Sequence, residues 1–267
     1  MTYALKLNGD EVDRYRLMAQ RARERESDLW ALAGLRPGAA VADIGCGPGA
    51  MLAALAEVVG PTGSVVGIDA DEEAVRTASA LLDAFGSEAG PVADTEIRVG
   101  HADDTGLPEG SFDTVVLRHV LAHNGGAEAR IVEHLARLVR PGGHVFVVDV
   151  DMRGISVEPS EHDLDDLHDR YLRWHTSRGN DLGVGRRLAR LGRGAGLAIE
   201  EFRGWFEIAE QPPGFRGPAW AARDALVCAG LADEADVVRW DAAFERVHRG
   251  GTRPEFMLPV FAAVCRR

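Results

Sequence analysis

Cysteine is scarce: Cys46, Cys228 and Cys265 are the only three in 267 residues, an odd number without metal-type spacing. That excludes a disulfide framework and gives no sign of a zinc site, and a reducing cytoplasm is the compartment that fits. Aromatic residues reach only 6%, yet 46% of the chain is hydrophobic and 27% charged, the balance of a folded globular protein rather than a disordered one. No stretch approaches the roughly 18 to 20 consecutive apolar residues of a membrane span, and the N-terminus lacks a basic segment leading into an apolar one. Neither a membrane partner nor export by a signal peptide is expected. Positive charge is also short, with 30 basic residues against 42 acidic ones and a formal net charge of −12. Nucleic-acid affinity rests mainly on neutralising phosphates, so a nucleic-acid partner is disfavoured.

Glycine is abundant instead, with 31 residues gathered at the ends of apolar runs. Residues 39–44 read as a strand that stops at Gly45-Cys46-Gly47-Pro48-Gly49, after which Met51, Leu52, Leu55, Ala56 and Val59 repeat at helical spacing. A second strand over 64–68 ends at Asp69 and leads into a helix carrying Ala74, Val75, Ala78, Leu81 and Leu82. Further strands are predicted over 96–99, 112–117 and 143–150, with a helix at about 126–139 that ends at a turn, Arg140-Pro141-Gly142-Gly143. This alternation predicts an α/β fold around a largely parallel sheet covered on both faces. Beyond Asp151 an acidic helix runs to about 176, its carboxylates reading as a solvated face, and another helix covers about 182–195. A sixth strand over 198–208, two helices over 217–249 and a last strand over 255–264 follow. Pro259 in that last strand favours an edge or a bulge.

A glycine loop between strand and helix is where a parallel sheet binds ligands. Gly45, Gly47 and Ala50 fit G-x-G-x-x-A, and Asp69 stands where a ribose-binding carboxylate would, so a nicotinamide dinucleotide is one reading. Two neighbours oppose it. Asp43 would repel a pyrophosphate, and Pro48 lacks an N–H that such an anion would use. A ligand with a cationic head and a ribose suits both carboxylates: S-adenosylmethionine carries an ammonium, a sulfonium and a ribose diol.

Taken together, Val41 to Gly49, Val66-Gly67-Ile68-Asp69, Gly106-Leu107-Pro108 with Ser111-Phe112-Asp113, and Leu138 to Gly143 resemble the motifs of class I S-adenosylmethionine-dependent methyltransferases. Within them the chain is similar to the ubiquinone/menaquinone-biosynthesis subgroup and its small-molecule relatives. The resemblance implies a Rossmann-like sheet of seven strands, mostly parallel with the last antiparallel. The first 34 residues read as a helical cap over the sheet's ligand edge, and the resemblance makes 35–267 the methyltransferase domain, with 209–254 a helical insertion or lid. It places the cofactor against Asp43, Gly45, Cys46, Gly47, Asp69, Ala70 and Arg118; if the cap covers it, Tyr15 or Arg16 meets its methionine carboxylate. Where the subgroup usually has Gly-Asp-Ala after the third strand, this chain has Gly100-His101-Ala102-Asp103. His101 or Asp103 fills the adenine contact, or the Ala102 backbone alone does.

The resemblance sets the transferable methyl over the end of the fourth strand, so residues 118–124 should line the transfer site. His119 and His123 are compatible with a metal pair, a structural role or general-base work, with His119 the nearer to the strand end. Tyr171, Trp174 and His175 share a helix face that suits either core or pocket, and His175 is a third candidate catalytic group. Arg170, Arg173, Arg178, Arg186, Arg187 and Asn180 are candidates to hold an anionic acceptor. Trp205, Phe206, Phe215, Trp220 and Trp240 either cover an apolar acceptor or glue the insertion to the sheet. The expected activity is transfer of a methyl group to carbon, oxygen or nitrogen of a small organic acceptor, in a setting such as secondary metabolism. A homodimer is compatible with it. The alternatives are a nicotinamide-dependent oxidoreductase and a protein that binds the cofactor without moving a methyl group.

Overall fold

The computed structural model describes residues 9–88, 92–212, 214–250 and 253–267. Five strands run parallel: β1 (Ala40–Ile44), β2 (Ser64–Asp69), β3 (Asp94–Val99), β4 (Phe112–Arg118) and β5 (Val139–Val150). They lie in the order β3-β2-β1-β4-β5. Their residues alternate between two cores, which is why the strands read as unbroken apolar runs. Val41, Val116, Phe146 and Val148 face one side, packed on Leu29 and Trp30 of α1 (Gly9–Leu32) and Leu52 and Leu55 of α2 (Ala50–Val59). Ala42, Ile44, Val115, Leu117, Val145 and Val147 face the other, packed on Ile131 and Leu135 of α4 (Glu128–Leu138) and Leu188 of α6 (Leu188–Gly194). Between β2 and β3 lies α3 (Glu72–Glu88).

The sheet has eight strands rather than seven. Beyond β5 comes β8 (Glu255–Arg266), antiparallel to it, and β7 (Ala198–Glu210) pairs along the far side of β8. The extra strand, β6 (Ser156–Glu158), is a three-residue piece paired with the start of β8. Pro259 therefore sits in a strand flanked on both sides, but at a gap: β6 pairs with 255–257 and β5 with 260–266. A residue without an N–H costs nothing in the ladder there, and its carbonyl still accepts from Asp151 N. The turn predicted at Pro141-Gly142-Gly143 is drawn into β5, because Gly142 N donates to Arg267 O and Arg267 N to Gly143 O. The helix predicted over 182–195 begins as a single 3₁₀ turn, Val184–Arg187, before α6.

The predicted insertion contains three short-to-medium helices, α7 (Pro218–Ala221), α8 (Arg223–Cys228) and α9 (Glu234–Arg249), all packed against α5 (His162–Ser177). Leu226, Trp240 and Phe244 meet Leu167 there. Asp163 and Asp166, expected on a solvated face, are instead paired: Arg239 reaches both, at 2.5 and 2.6 Å, and Arg170 and Trp240 Nε1 also donate to Asp166. Asp165 and Asp169 do remain exposed.

Candidate active site

The order of the strands reverses between β1 and β4, which opens a crevice at their carboxyl ends. The glycine loop forms its floor. Gly45, Gly47 and Gly49 all have φ between 53° and 85°, in the left-handed region. A Cβ on Gly49 would lie 2.8 Å from that of Ala78, and one on Gly45 only 2.3 Å from Val120 Cγ2. The loop's donors are already taken: Gly45 N and Cys46 N donate to Ile68 O, Gly47 N to Asp69 Oδ2 at 2.8 Å, and Gly49 N to Cys46 O. Pro48 has none. Cys46 turns its thiol inward beside Gly67, and burial pushes that thiol well above its ordinary range.

Asp43 lies one residue before the end of β1 and is 2% exposed, with Oδ2 lacking a hydrogen-bond partner among the described residues. Burial pushes its carboxyl up to about 7; the Arg118 guanidinium opposes the rise and Asp69 adds to it. Arg118, at the end of β4, is itself committed to Glu26 of α1, which also accepts from Trp30 Nε1 at 3.3 Å. Glu26 is 2% exposed, and only the tryptophan one helical turn further along hinted in the sequence that this face of a charged helix turns inward.

Asp149, at the end of β5, is fully buried and fixes the loop that follows β4. Its Oδ2 accepts from Ala122 N at 3.2 Å, and burial raises it to about 7. On that loop His119 takes φ 56°, the only left-handed non-glycine residue among those described. Burial, then Arg118 and His123, hold its ring down at about 3. His123 is also lowered by burial. Its ring lies 5.3 Å from that of His175 on α5, which in turn stands 4.5 Å from Tyr171 and 4.8 Å from Trp174. Burial, with His123 and Arg178 beside it, lowers His175 to about 4, and burial alone raises Tyr171 to about 12. His123 and His175 thus meet across the crevice rim, with every imidazole there neutral at pH 7. Among the described residues no three His, Cys, Asp or Glu side chains are grouped to hold a metal ion.

The remaining candidates are more dispersed. Ala70 and His101 are exposed, Ala102 is half-buried, and Asp103 is bound to Arg130 at 2.8 Å, which lowers it. Tyr15 belongs to α1, but its side chain lies outside the described residues. Most of the candidate anion anchors are engaged elsewhere. Arg170 joins α5 to α9 through Asp236, Arg186 pairs with Asp151, Arg187 with Glu128 and Asp181, and Arg178 lies over Trp174; Arg173 is exposed. Of the aromatics, Trp240 is fully buried against α5 and Phe206 is 55% exposed on β7.

The methyltransferase-domain family matches residues 42–147, from β1 to β5. The ubiquinone biosynthesis O-methyltransferase of Cupriavidus pinatubonensis is 31% identical over 215 residues, covering 73% of this chain and 79% of that protein. Nocamycin O-methyltransferase of Saccharothrix syringae is 40% identical over 110 residues, 41% of this chain and 37% of that protein. The YcgJ protein of Bacillus subtilis shares the fold, with a TM-score of 0.58 at 19% identity over 90% of this chain and 97% of that one. The chain spans about a third to a half of the length of several curated relatives it matches.

Proposed function

The chain belongs to the class I S-adenosylmethionine-dependent methyltransferases, and from that membership we propose that it transfers a methyl group to a small organic acceptor held beside His119, His123 and His175. The observation that carries this reading is the unpartnered Oδ2 of Asp43 at the glycine loop. A buried carboxylate oxygen without a donor is costly, and a cationic ligand relieves that cost. The same loop is a poor anion cradle, since every N–H from Gly45 to Gly49 is already spent on Ile68, Asp69 or Cys46. A nicotinamide dinucleotide is therefore disfavoured on geometry as well as charge.

S-adenosylmethionine, when bound, supplies a methyl group activated by its sulfonium. Asp43 binds the ammonium end, directly or through water, and becomes fully ionised there. Asp69 keeps lone pairs for ribose hydroxyls, because each of its oxygens accepts only one backbone N–H, from Gly47 and from Asp71. The rest of the work is alignment, plus removal of a proton when the attacking atom carries one. A ring held at about 3 is a weak base, so His119 serves to shape the wall. His123 takes the proton, and solvent receives it afterwards. The engaged arginines favour an acceptor without a strong anionic group.

Calorimetric titration tests the cofactor assignment. S-adenosylmethionine binds and NAD does not; the opposite result overturns the proposal. Asp69→Ala weakens S-adenosylmethionine binding by about 10- to 100-fold through loss of the ribose hydrogen bonds.

A further inference from the structure

His175 is held by a contact that decides which of its two nitrogens carries the proton. Asn180 Oδ1 accepts from Gly125 N at 3.1 Å, and the same side chain places Nδ2 3.0 Å from His175 Nδ1. Turning the amide over would set its NH₂ against the Gly125 N–H, two donors face to face, so the backbone fixes the amide. Nδ2 must then donate, and His175 Nδ1 must accept. The proton of the neutral ring is left on Nε2, which has no partner among the described residues. An imidazolium would put an N–H on Nδ1 as well, directly against the amide donor.

The surroundings make this a rigid lock. Asn180 is buried at 8% exposure, and its own N donates to His175 O at 3.0 Å. The loop after β4 and the turn after α5 touch so closely that a Cβ on Gly125 would fall 1.9 Å from Gly179 O. The groups facing the ring are His123, Tyr171 and Trp174, with Arg178 the nearby charge. No carboxylate is among them to draw a second proton onto the ring.

We infer that Asn180 is a positioning residue that fixes His175 as a neutral Nε2–H donor, so that His175 hydrogen-bonds a lone-pair oxygen or nitrogen of the methyl acceptor and does not take its proton. The donor role rests on the methyltransferase reading above; the tautomer does not. In the transfer itself the acceptor's proton goes to His123, the acceptor–methyl bond forms as the methyl–sulfur bond breaks, and His175 keeps its own proton throughout.

Imidazole ¹⁵N NMR of the whole chain without cofactor tests the lock. His175 shows an unprotonated Nδ1 and a protonated Nε2, unchanged on acidification until about pH 4. In Asn180→Asp one carboxylate oxygen still accepts from Gly125 N while the other now accepts from Nδ1. The proton moves to Nδ1, and titration shifts up by about one to three pH units. A wild-type ring protonated on Nδ1, or one titrating near 6.5, overturns the inference. So does an Asn180→Asp protein that folds with the wild-type ¹⁵N pattern. Because this readout needs no methyl transfer, it is separate from failure of S-adenosylmethionine binding, which sinks the cofactor assignment alone.

Discussion

Asp43, the proposed ammonium contact, is kept at the expense of stability. Its ordinary value is 3.8 and its value in the folded chain about 7, so the folded state holds a proton that the unfolded state releases. Stability from this group is therefore complete below about 4 and is lost as pH rises through 7. Asp149 acts in the same sense, while His119 and His175, lowered from 6.5, act in the opposite one: their contribution is complete above 6.5 and falls away on acidification. Asp43→Asn removes the neutral-pH penalty. We expect its Tm without cofactor to exceed wild type above pH 7 by a few degrees, about 2–4 °C per kcal/mol for a chain of this size. S-adenosylmethionine binding falls sharply in the same variant. Scanning calorimetry and titration on one preparation read both effects.

Among the described residues, helix α1 reaches the site through one buried pair, Glu26 and Arg118. Glu26→Gln leaves Arg118 without its counter-charge, an expected loss of about 3 kcal/mol in denaturant unfolding. The exposed pairs that tie the same helix to β7, Arg21 and Arg25 to Glu207 and Arg203 to Asp28, contribute much less. On the side of the sheet that α5 covers, Trp240→Ala empties a fully buried position between α9 and α5 and should cost about 3–5 kcal/mol. Elements built on local repetition were legible in the sequence: β1 to β5, the glycine loop and α4 follow from apolar periodicity and from glycine where only a left-handed backbone fits. What escaped depends on distant partners. Glu26 looked like one charge among many on a surface helix, and Asp163 and Asp166 like solvated caps, because Arg239 and Arg246 reach them from α9, far along the chain; of their partners only Arg170 is local. The bond between Asn180 and His175 lies within one short segment, but its meaning depends on Gly125, across the crevice. The three-residue β6 has too short a pattern to announce itself and exists because β8 offers it an edge.

Across the whole molecule, positive charge is carried almost entirely by arginine: 29 of the 30 basic residues, with Lys6 the exception. A forked guanidinium can serve several carboxylates at once, and Arg239 does so with Asp163, Asp166 and Asp236, an arrangement that a lysine ammonium would not reproduce. The formal net charge of −12 favours arrival of a cationic ligand over an anionic one, a long-range effect that weakens with added salt. Asp43 then gives that arrival a thermodynamic signature. At neutral pH its carboxyl is about half protonated, and a cation seated beside it expels that hydrogen ion into the medium. The apparent heat of S-adenosylmethionine binding should therefore differ between phosphate and Tris at pH 7, in proportion to their ionisation enthalpies. The release from Asp43 should end about two pH units higher, where its carboxyl holds no proton, and any buffer dependence left there reverses in sign as the ligand's own amine takes a proton up on binding.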